Sequence, residues 1–440
     1  MLPDYLAKAA PNPMGKRAPW YANTAPSYAG IFLWIAFYRL MAGDTLAHGS
    51  LAVCLAGLVA AGLLCYSLYY LVPAMLGMKT GFPLYVVGSS TFGVQGGYLM
   101  PGLLMGLLQI GWFAVATSVA SEFILKGLGM NSQPGGAPFI VTGVIWGCLM
   151  AWVGAKGIRY VSKVSLLLNA IPLLMLVIVF FQTAGGIGQY HPPAKDDPFV
   201  AFTMTLAIVI GFFATAGAAC ADFGLNSRHA KDVRWGGLVG IALAVLVAGG
   251  LPLAAIAGAH GSGLSQGFDY ADVIHSIGGV IGTAMFFLFA IASIPPTCFC
   301  AFIAGNSFST MIPAVPRVAS TMAGAAVGIV LAVTGVAANL IPFFNIVGAS
   351  FGPICGAMAA DYLLSGRRWA GPRAGINFAG YVAWAAGFVV GILPFLPLSA
   401  EVKTYVQPAV LYSFLTGFVV YALLAKAGLQ PKVVDMPKVA

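Results

Sequence analysis

Gly30–Gly49 reads GIFLWIAFYRLMAGDTLAHG, and Ile210–Gly224 reads IGFFATAGAACADFG. Both stretches are apolar enough to enter a membrane, and both are interrupted. The first carries Arg39 near its middle and then Ala42, Gly43 and Asp44; the second runs through Gly211, Ala214, Thr215, Ala216 and Gly217 to Asp222. Broken helical backbone inside hydrocarbon is tolerated only where protein or a wet cavity encloses it. Interrupted spans at matching positions of two halves point to a transporter of inverted repeats, with its ligand near the midplane. Small residues that simply let helices pack closely are the competing reading, and with 56 glycines in the chain the pattern alone leaves both open.

The surrounding sequence supports a membrane setting. Of 440 residues, 60% are hydrophobic and only 8% charged, against about 25% charged in soluble domains. Apolar runs of the length that crosses a bilayer fall near Tyr28–Ala47, Leu51–Leu76, Leu99–Leu125, Pro138–Val153, Val164–Gln182 and Phe199–Ala221. They continue near Gly236–Ala257, Ile277–Ala304, Ala319–Leu340, Asn345–Leu364, Ile376–Leu396 and Tyr405–Leu424. The chain is therefore expected to be an all-α integral membrane protein with twelve transmembrane helices. Five helices separate the starts of the two interrupted spans. That spacing predicts two inverted five-helix repeats, 28–183 and 199–365, then two more helices over 376–425. Residues 1–27 and 426–440 are expected as cytoplasmic tails.

The basic residues test the orientation. With the N-terminus inside, the inner segments hold Lys8, Lys16, Arg17, Lys79, Lys156, Arg159, Lys163, Arg228, Lys231, Arg234, Arg317, Arg367, Arg368, Arg373, Lys426, Lys432 and Lys438. The outer loops hold only Lys126, Lys195 and Lys403. This asymmetry is the positive-inside pattern. The formal charge of +9 thus reports topology and an anionic inner leaflet, not a nucleic-acid partner. The expected location is the cell (inner) membrane, with both termini cytoplasmic. The seven cysteines lie within apolar runs and read as small core residues, not as a disulfide framework. Cys298 and Cys300 lack the neighbouring His or Cys of a metal site, so no metal and no cofactor is expected.

Three longer motifs carry a resemblance. KTGFPLYVVGSSTFGVQGGYLMPGLLMGLLQIGWFAV (Lys79–Val115), GFFATAGAACADF (Gly211–Phe223) and GASFGPICGAMAADYLLSGRR (Gly348–Arg368) occur in order. They resemble the third, sixth and tenth helices of the nucleobase:cation symporter-1 family, in its cytosine-permease-like branch. The resemblance implies a leucine-transporter-like fold and uptake of a small flat heterocycle by alternating access. Carried over by position, Gln109 and Trp112 fall on third-helix residues that hold the base, and Phe212 and Phe213 on the sixth-helix pair where the family uses an aromatic to sandwich the ring. Ala216 falls on a small residue whose backbone faces the base, and Thr297 on a polar substrate-facing position.

The chemistry of these residue types is consistent with that. Gln109 and Trp112 stand at i and i+3 on one helix face. An amide offers an acceptor and two donors, and a base stacked between Trp112 and Phe213 gains about 1–3 kcal/mol per aromatic face. The alternative for this pair is an interhelical amide bond and an ordinary packing indole.

The eighth helix departs from the family. Where sodium-coupled members place an amide and hydroxyls around a cation, this chain has Ala292, Pro295 and Pro296, so the cation site looks degenerate. Arg39 lies about 15 Å from the start of its span at 1.5 Å per residue, where a charge is costly and needs a partner. Asp44 and Asp222 are the candidates. Two readings stand: the guanidinium replaces the lost sodium ion, making transport sodium-independent or proton-linked, or it snorkels to a vestibule. Glu122 and Lys126 read as an i,i+4 surface pair, and Asp361 as a structural contact.

The expected function is a secondary active importer of a nucleobase, cytosine-like or purine, acting as a monomer. A hydantoin, allantoin or pyrimidine vitamin precursor is the alternative cargo. A channel or a membrane enzyme is disfavoured, since no HExxH, Walker loop or paired intramembrane His and Asp is present. The chain is not expected to be an enzyme.

Overall fold

The computed structural model describes residues 2–38, 41–156, 168–193, 196–339 and 341–436. The described residues are helical, with only two isolated bridges, Ala18 to Ser227 and Arg373 to Val433, besides the helices. Among the described residues, ten helices are long and apolar enough to cross a membrane. Arg317–Val333 is a shorter apolar helix, and the first span includes Thr24–Phe32 and Ile35–Tyr38, separated at Leu33–Trp34, with Met41–Asp44 beyond them. Spans are numbered below in chain order, from one to twelve.

Glycines bring the spans together in two groups. In one, Gly57 meets Thr205, Gly77 meets the carbonyl of Ala221, and Gly240 meets the backbone of Ala25. These contacts join span two (Leu51–Thr80), span six (Pro198–Ala218), span seven (Ala230–Gly261) and span one. In the other, Gly106 meets Phe308, Gly147 meets Ile329, Gly154 meets Cys298 and Ala301, and Gly328 meets Phe113. These tie span three (Gly96–Gly127), span four (Ala137–Ala155), span eight (Gly279–Met311) and span nine (Arg317–Val333). A Cβ on Gly77 would stand 2.1 Å from the Ala221 oxygen. Only glycine permits that approach, and close backbone packing is what holds helices together in lipid.

The interruptions lie elsewhere than the small residues suggest. Span one bends at Leu33–Trp34, well before Ala42 and Gly43. Aromatic packing holds the bend: Phe32 stacks on Phe213 at 5.6 Å, and Trp34 touches Trp112 at 5.9 Å and Phe212 at 6.1 Å. Span six runs unbroken from Pro198 to Ala218, turns at Ala219, and resumes as Cys220–Gly224. Gly217 serves as a packing residue, since a Cβ there would come 2.8 Å from that of Tyr69. Span eight divides at Ser293, where Pro295 opens the second piece, Ile294–Met311. Proline is suited to a first helical turn because its missing N–H has no helical partner there.

Both termini pack at one end of the bundle instead of hanging free. Leu6 is fully buried with Val86 and Val94, and Val434 and Met436 join the same cluster. Tyr5 donates to the Val94 carbonyl, Asn12 to the Leu225 carbonyl, and Arg17 to the Met78 carbonyl. At the same end Arg373 pairs with Asp361 at 3.1 Å and donates to the Ser90 carbonyl. Asp361 also accepts from the Ser90 hydroxyl.

Candidate functional site

The two groups of spans face each other across a small cavity of about 30 Å³. Ile31 and Trp34 of span one, with Phe212, Thr215 and Ala216 of span six, form one wall. Gln109 and Trp112 of span three, with Pro296, Phe299 and Cys300 of span eight, form the other. The bend at Leu33–Trp34 places the Trp34 indole here, and the division at Ser293 opens the helix that carries Pro296. Both irregular pieces of backbone are thereby enclosed by protein, as a membrane interior requires.

Three rings dominate the walls. Trp112 and Phe212 meet edge to face at 4.9 Å and 75°, and Trp34 lies against both. A flat ligand between two faces needs about 7 Å, two contact distances of about 3.5 Å. As the rings stand they occupy each other's faces, so stacking requires Phe212 or Trp34 to swing aside.

The polar groups are few. Trp112 Nε1–H donates to Thr215 Oγ1 at 3.2 Å, linking the two walls. The Gln109 amide, 2% exposed, donates through Nε2 to Met105 Sδ at 3.6 Å. A thioether accepts weakly and donates nothing, which orients the amide with its oxygen away from Met105. Among the described residues, Gln109 Oε1 and Trp34 Nε1 are buried without a hydrogen-bond partner. Such orphaned groups cost about 1–3 kcal/mol each and demand an explanation.

Of the residues singled out from sequence, Gln109, Trp112, Phe212 and Ala216 are brought together here. Phe213 is not. It is fully buried against Phe32 and Tyr28, because adjacent helical residues point about 100° apart. Of the two rings, Phe212 is the one that reaches the cavity. Thr297 also turns away: it is fully buried and its hydroxyl donates to the Ser293 carbonyl within its own helix. Ala292 and Pro295 are buried outside the lining, while Pro296 faces the cavity itself.

The expected pairing of Arg39 with Asp44 or Asp222 falls partly outside the described residues. Arg39 lies outside the described residues. Asp44 is exposed at the far end of span one. Asp222 accepts from the Leu84 amide at 3.3 Å, at the end that carries the termini. Glu122 and Lys126 pair at 2.7 Å.

Sequence reasoning missed Ile31, Trp34, Thr215, Phe299 and Cys300 as lining residues. For Thr215, its place one turn after Phe212 was a usable signal. Trp34 was hidden because nothing local marks the bend that exposes it.

A cavity at the meeting of two broken spans, walled by two separately packed helix groups, defines a membrane carrier. Residues 13–420 match the family described as permeases for cytosine/purines, uracil, thiamine and allantoin, and the chain belongs to that family. It is a secondary transporter of the nucleobase type, not an enzyme. Among its relatives, a cytosine permease of Escherichia coli O157:H7 is 27% identical over 330 residues, 72% of this chain and 73% of the relative. A putative allantoin permease of Escherichia coli (strain K12) is 22% identical over 334 residues, 66% of this chain and 65% of that one. The fold is that of a nucleobase-cation-symport-1 family transporter solved closed with bromovinylhydantoin bound. The TM-score is 0.74 at 17% identity, covering 97% of this chain and 96% of that chain. The same transporter in its inward-facing conformation gives 0.70 at 16% identity, with 96% and 94% covered. A Na+-coupled sialic acid symporter gives 0.57 at 13% identity, with 98% and 93% covered. The architecture is therefore leucine-transporter-like.

Proposed function

We propose that the chain imports a neutral nucleobase or a closely related flat heterocycle across the cell membrane, acting as a monomer by alternating access. The observation that carries this is the orphaned Gln109 oxygen in a cavity walled by Trp34, Trp112 and Phe212. Rings supply stacking to a planar cargo, and the amide supplies an edge-reading group. The lining residues contain no Asp, Glu, Lys or Arg, and burying an ion without a counter-charge is costly, which favours a neutral cargo. The permease relatives support cytosine-like pyrimidines and purines, and the allantoin relative keeps hydantoin-type rings as the second reading.

Pro295 and Pro296, which offer no side-chain oxygen to a cation, support transport without sodium, with the proton as the coupling ion. The distribution of basic residues supports placing both termini in the cytoplasm. Uptake of radiolabelled cytosine, uracil, hypoxanthine, adenine and allantoin into vesicles tests the reading, in sodium and in choline buffers. Uptake unchanged in choline and abolished by collapsing the pH gradient is expected. Collapse in choline overturns the coupling, and no uptake of any ring overturns the cargo.

A further inference from the structure

The helix that opens span seven, Ala230–Gly237, separates its charges by sign. Asp232 is 5% exposed and turns inward, where it accepts from the Trp20 amide at 3.0 Å and pairs with Arg228 at 3.4 Å. Lys231, Arg234, Trp235 and then Leu238 are exposed. Positions i, i+3, i+4 and i+7 share one helix face, so two cations, an indole and a leucine form a single outward strip. The ion pairs among the described residues leave both Lys231 and Arg234 without an acid. Arg234 acts electrostatically on the Tyr66 hydroxyl of span two, a neutral group that leaves its charge uncompensated.

The strip stands at the depth of lipid headgroups. Span seven holds 32 residues, which is about 48 Å at 1.5 Å per residue, against a hydrocarbon core of about 30 Å. The excess is shared between its two ends, and the cations place the first two turns within it. Beyond them Leu238 and Leu243, 37% and 51% exposed, begin the lipid-facing side. Rings border the strip: Trp20 lies 6.5 Å from Trp235 and 5.8 Å from Tyr21, and Tyr21 is 62% exposed. Tryptophan and tyrosine favour this level of a bilayer.

We propose that Lys231 and Arg234 hold the phosphate of an anionic phospholipid, in the leaflet at the end that carries the termini. Its acyl chain lies along Leu238 and Leu243, and its headgroup rests against Trp235. A phosphodiester offers oxygens both to the guanidinium fork and to the ammonium. A zwitterionic lipid brings a cation of its own to the same place, which offsets the attraction. The inward turn of Asp232 removes the helix's own acid from the strip, so nothing within the helix competes for the phosphate. The site is remote from the cargo cavity and independent of what the cavity binds. Diffuse attraction to an anionic surface would weigh every basic residue alike, including the exposed Arg367 and Arg368 that follow span ten at the same end.

Native mass spectrometry of the purified full-length chain tests this, with phosphatidylglycerol and phosphatidylcholine of identical acyl chains as probes. One phosphatidylglycerol per chain is expected to bind at least about tenfold more tightly than phosphatidylcholine, since each basic residue near the headgroup adds to the preference. The double variant Lys231→Gln/Arg234→Gln brings that preference within about twofold, while Arg367→Gln/Arg368→Gln, which removes the same charge, leaves it in place. Equal binding of the two lipids by wild type overturns the proposal, and that comparison stands even where a variant does not fold. An equal loss in both double variants overturns it too, because it marks diffuse attraction. Inorganic phosphate at about 10 mM separates a lipid from a free anion. Retention of phosphatidylglycerol is the expected result, and its displacement assigns the strip to a free anion and overturns the lipid.

Discussion

Two buried polar clusters in this protein handle hydrogen bonding in opposite ways. At the end that carries the termini, Asp361 pairs with Arg373 and accepts from the Ser90 hydroxyl. Arg373 donates to the Ser90 carbonyl, and Asn377 donates to the Thr91 carbonyl. None of the side-chain polar atoms of these residues is left unpartnered. In the cavity, Gln109 and Trp34 each bury an unpaired atom. A satisfied network rigidifies a structure, whereas a half-satisfied one is a liability unless something else completes it. The contrast separates residues that hold the protein together from those that wait for cargo.

Mutations should divide along the same line. Arg373→Ala leaves the Asp361 carboxylate buried without its cation, which costs about 3–5 kcal/mol. Loss of monodisperse protein on size-exclusion chromatography is the expected result, and normal yield with normal thermal stability would break the contrast. Phe213→Ala should also cost about 3–5 kcal/mol, as a buried aromatic truncation. Protein that still folds should bind cargo nearly as wild type, because Phe213 does not reach the cavity.

Gln109→Leu should do the reverse. It removes an orphaned acceptor, so the melting temperature should hold or rise, while affinity for the preferred ring falls by about 1–3 kcal/mol. Destabilisation without loss of affinity would return this amide to a packing role. Thr297→Val is the smallest change, expected within about 1 kcal/mol in stability and without effect on binding. A marked loss of affinity there would place its hydroxyl in the site after all.

How far the sequence could be read follows from the same physics. Apolar run length and the distribution of Lys and Arg are properties of long segments, and they conveyed the helical membrane architecture. Gln109 and Trp112 were legible because i and i+3 on a regular helix must share a face. Phe212 and Phe213 could not be told apart, since one residue of register decides which ring meets the cavity. Pro295 and Pro296 were legible as missing oxygen ligands but not as the opening of a second helix. The bend at Leu33–Trp34 was invisible, because it is held by rings from spans three and six and not by any local breaker. Small residues drew attention to Gly211–Gly217, where Gly217 serves helix contact while Thr215 and Ala216 line the cavity.

The docking of the two sequence-distant segments has a consequence for biosynthesis. Leu6 packs in a cluster that includes Val434 and Met436, which the ribosome adds only after all the spans that lie between them. That cluster cannot close until those positions have been made, however early the spans insert. Insertion of the spans and completion of this end of the fold are therefore separate steps, and a change at Leu6 or Val434 would act on the second and leave the first untouched.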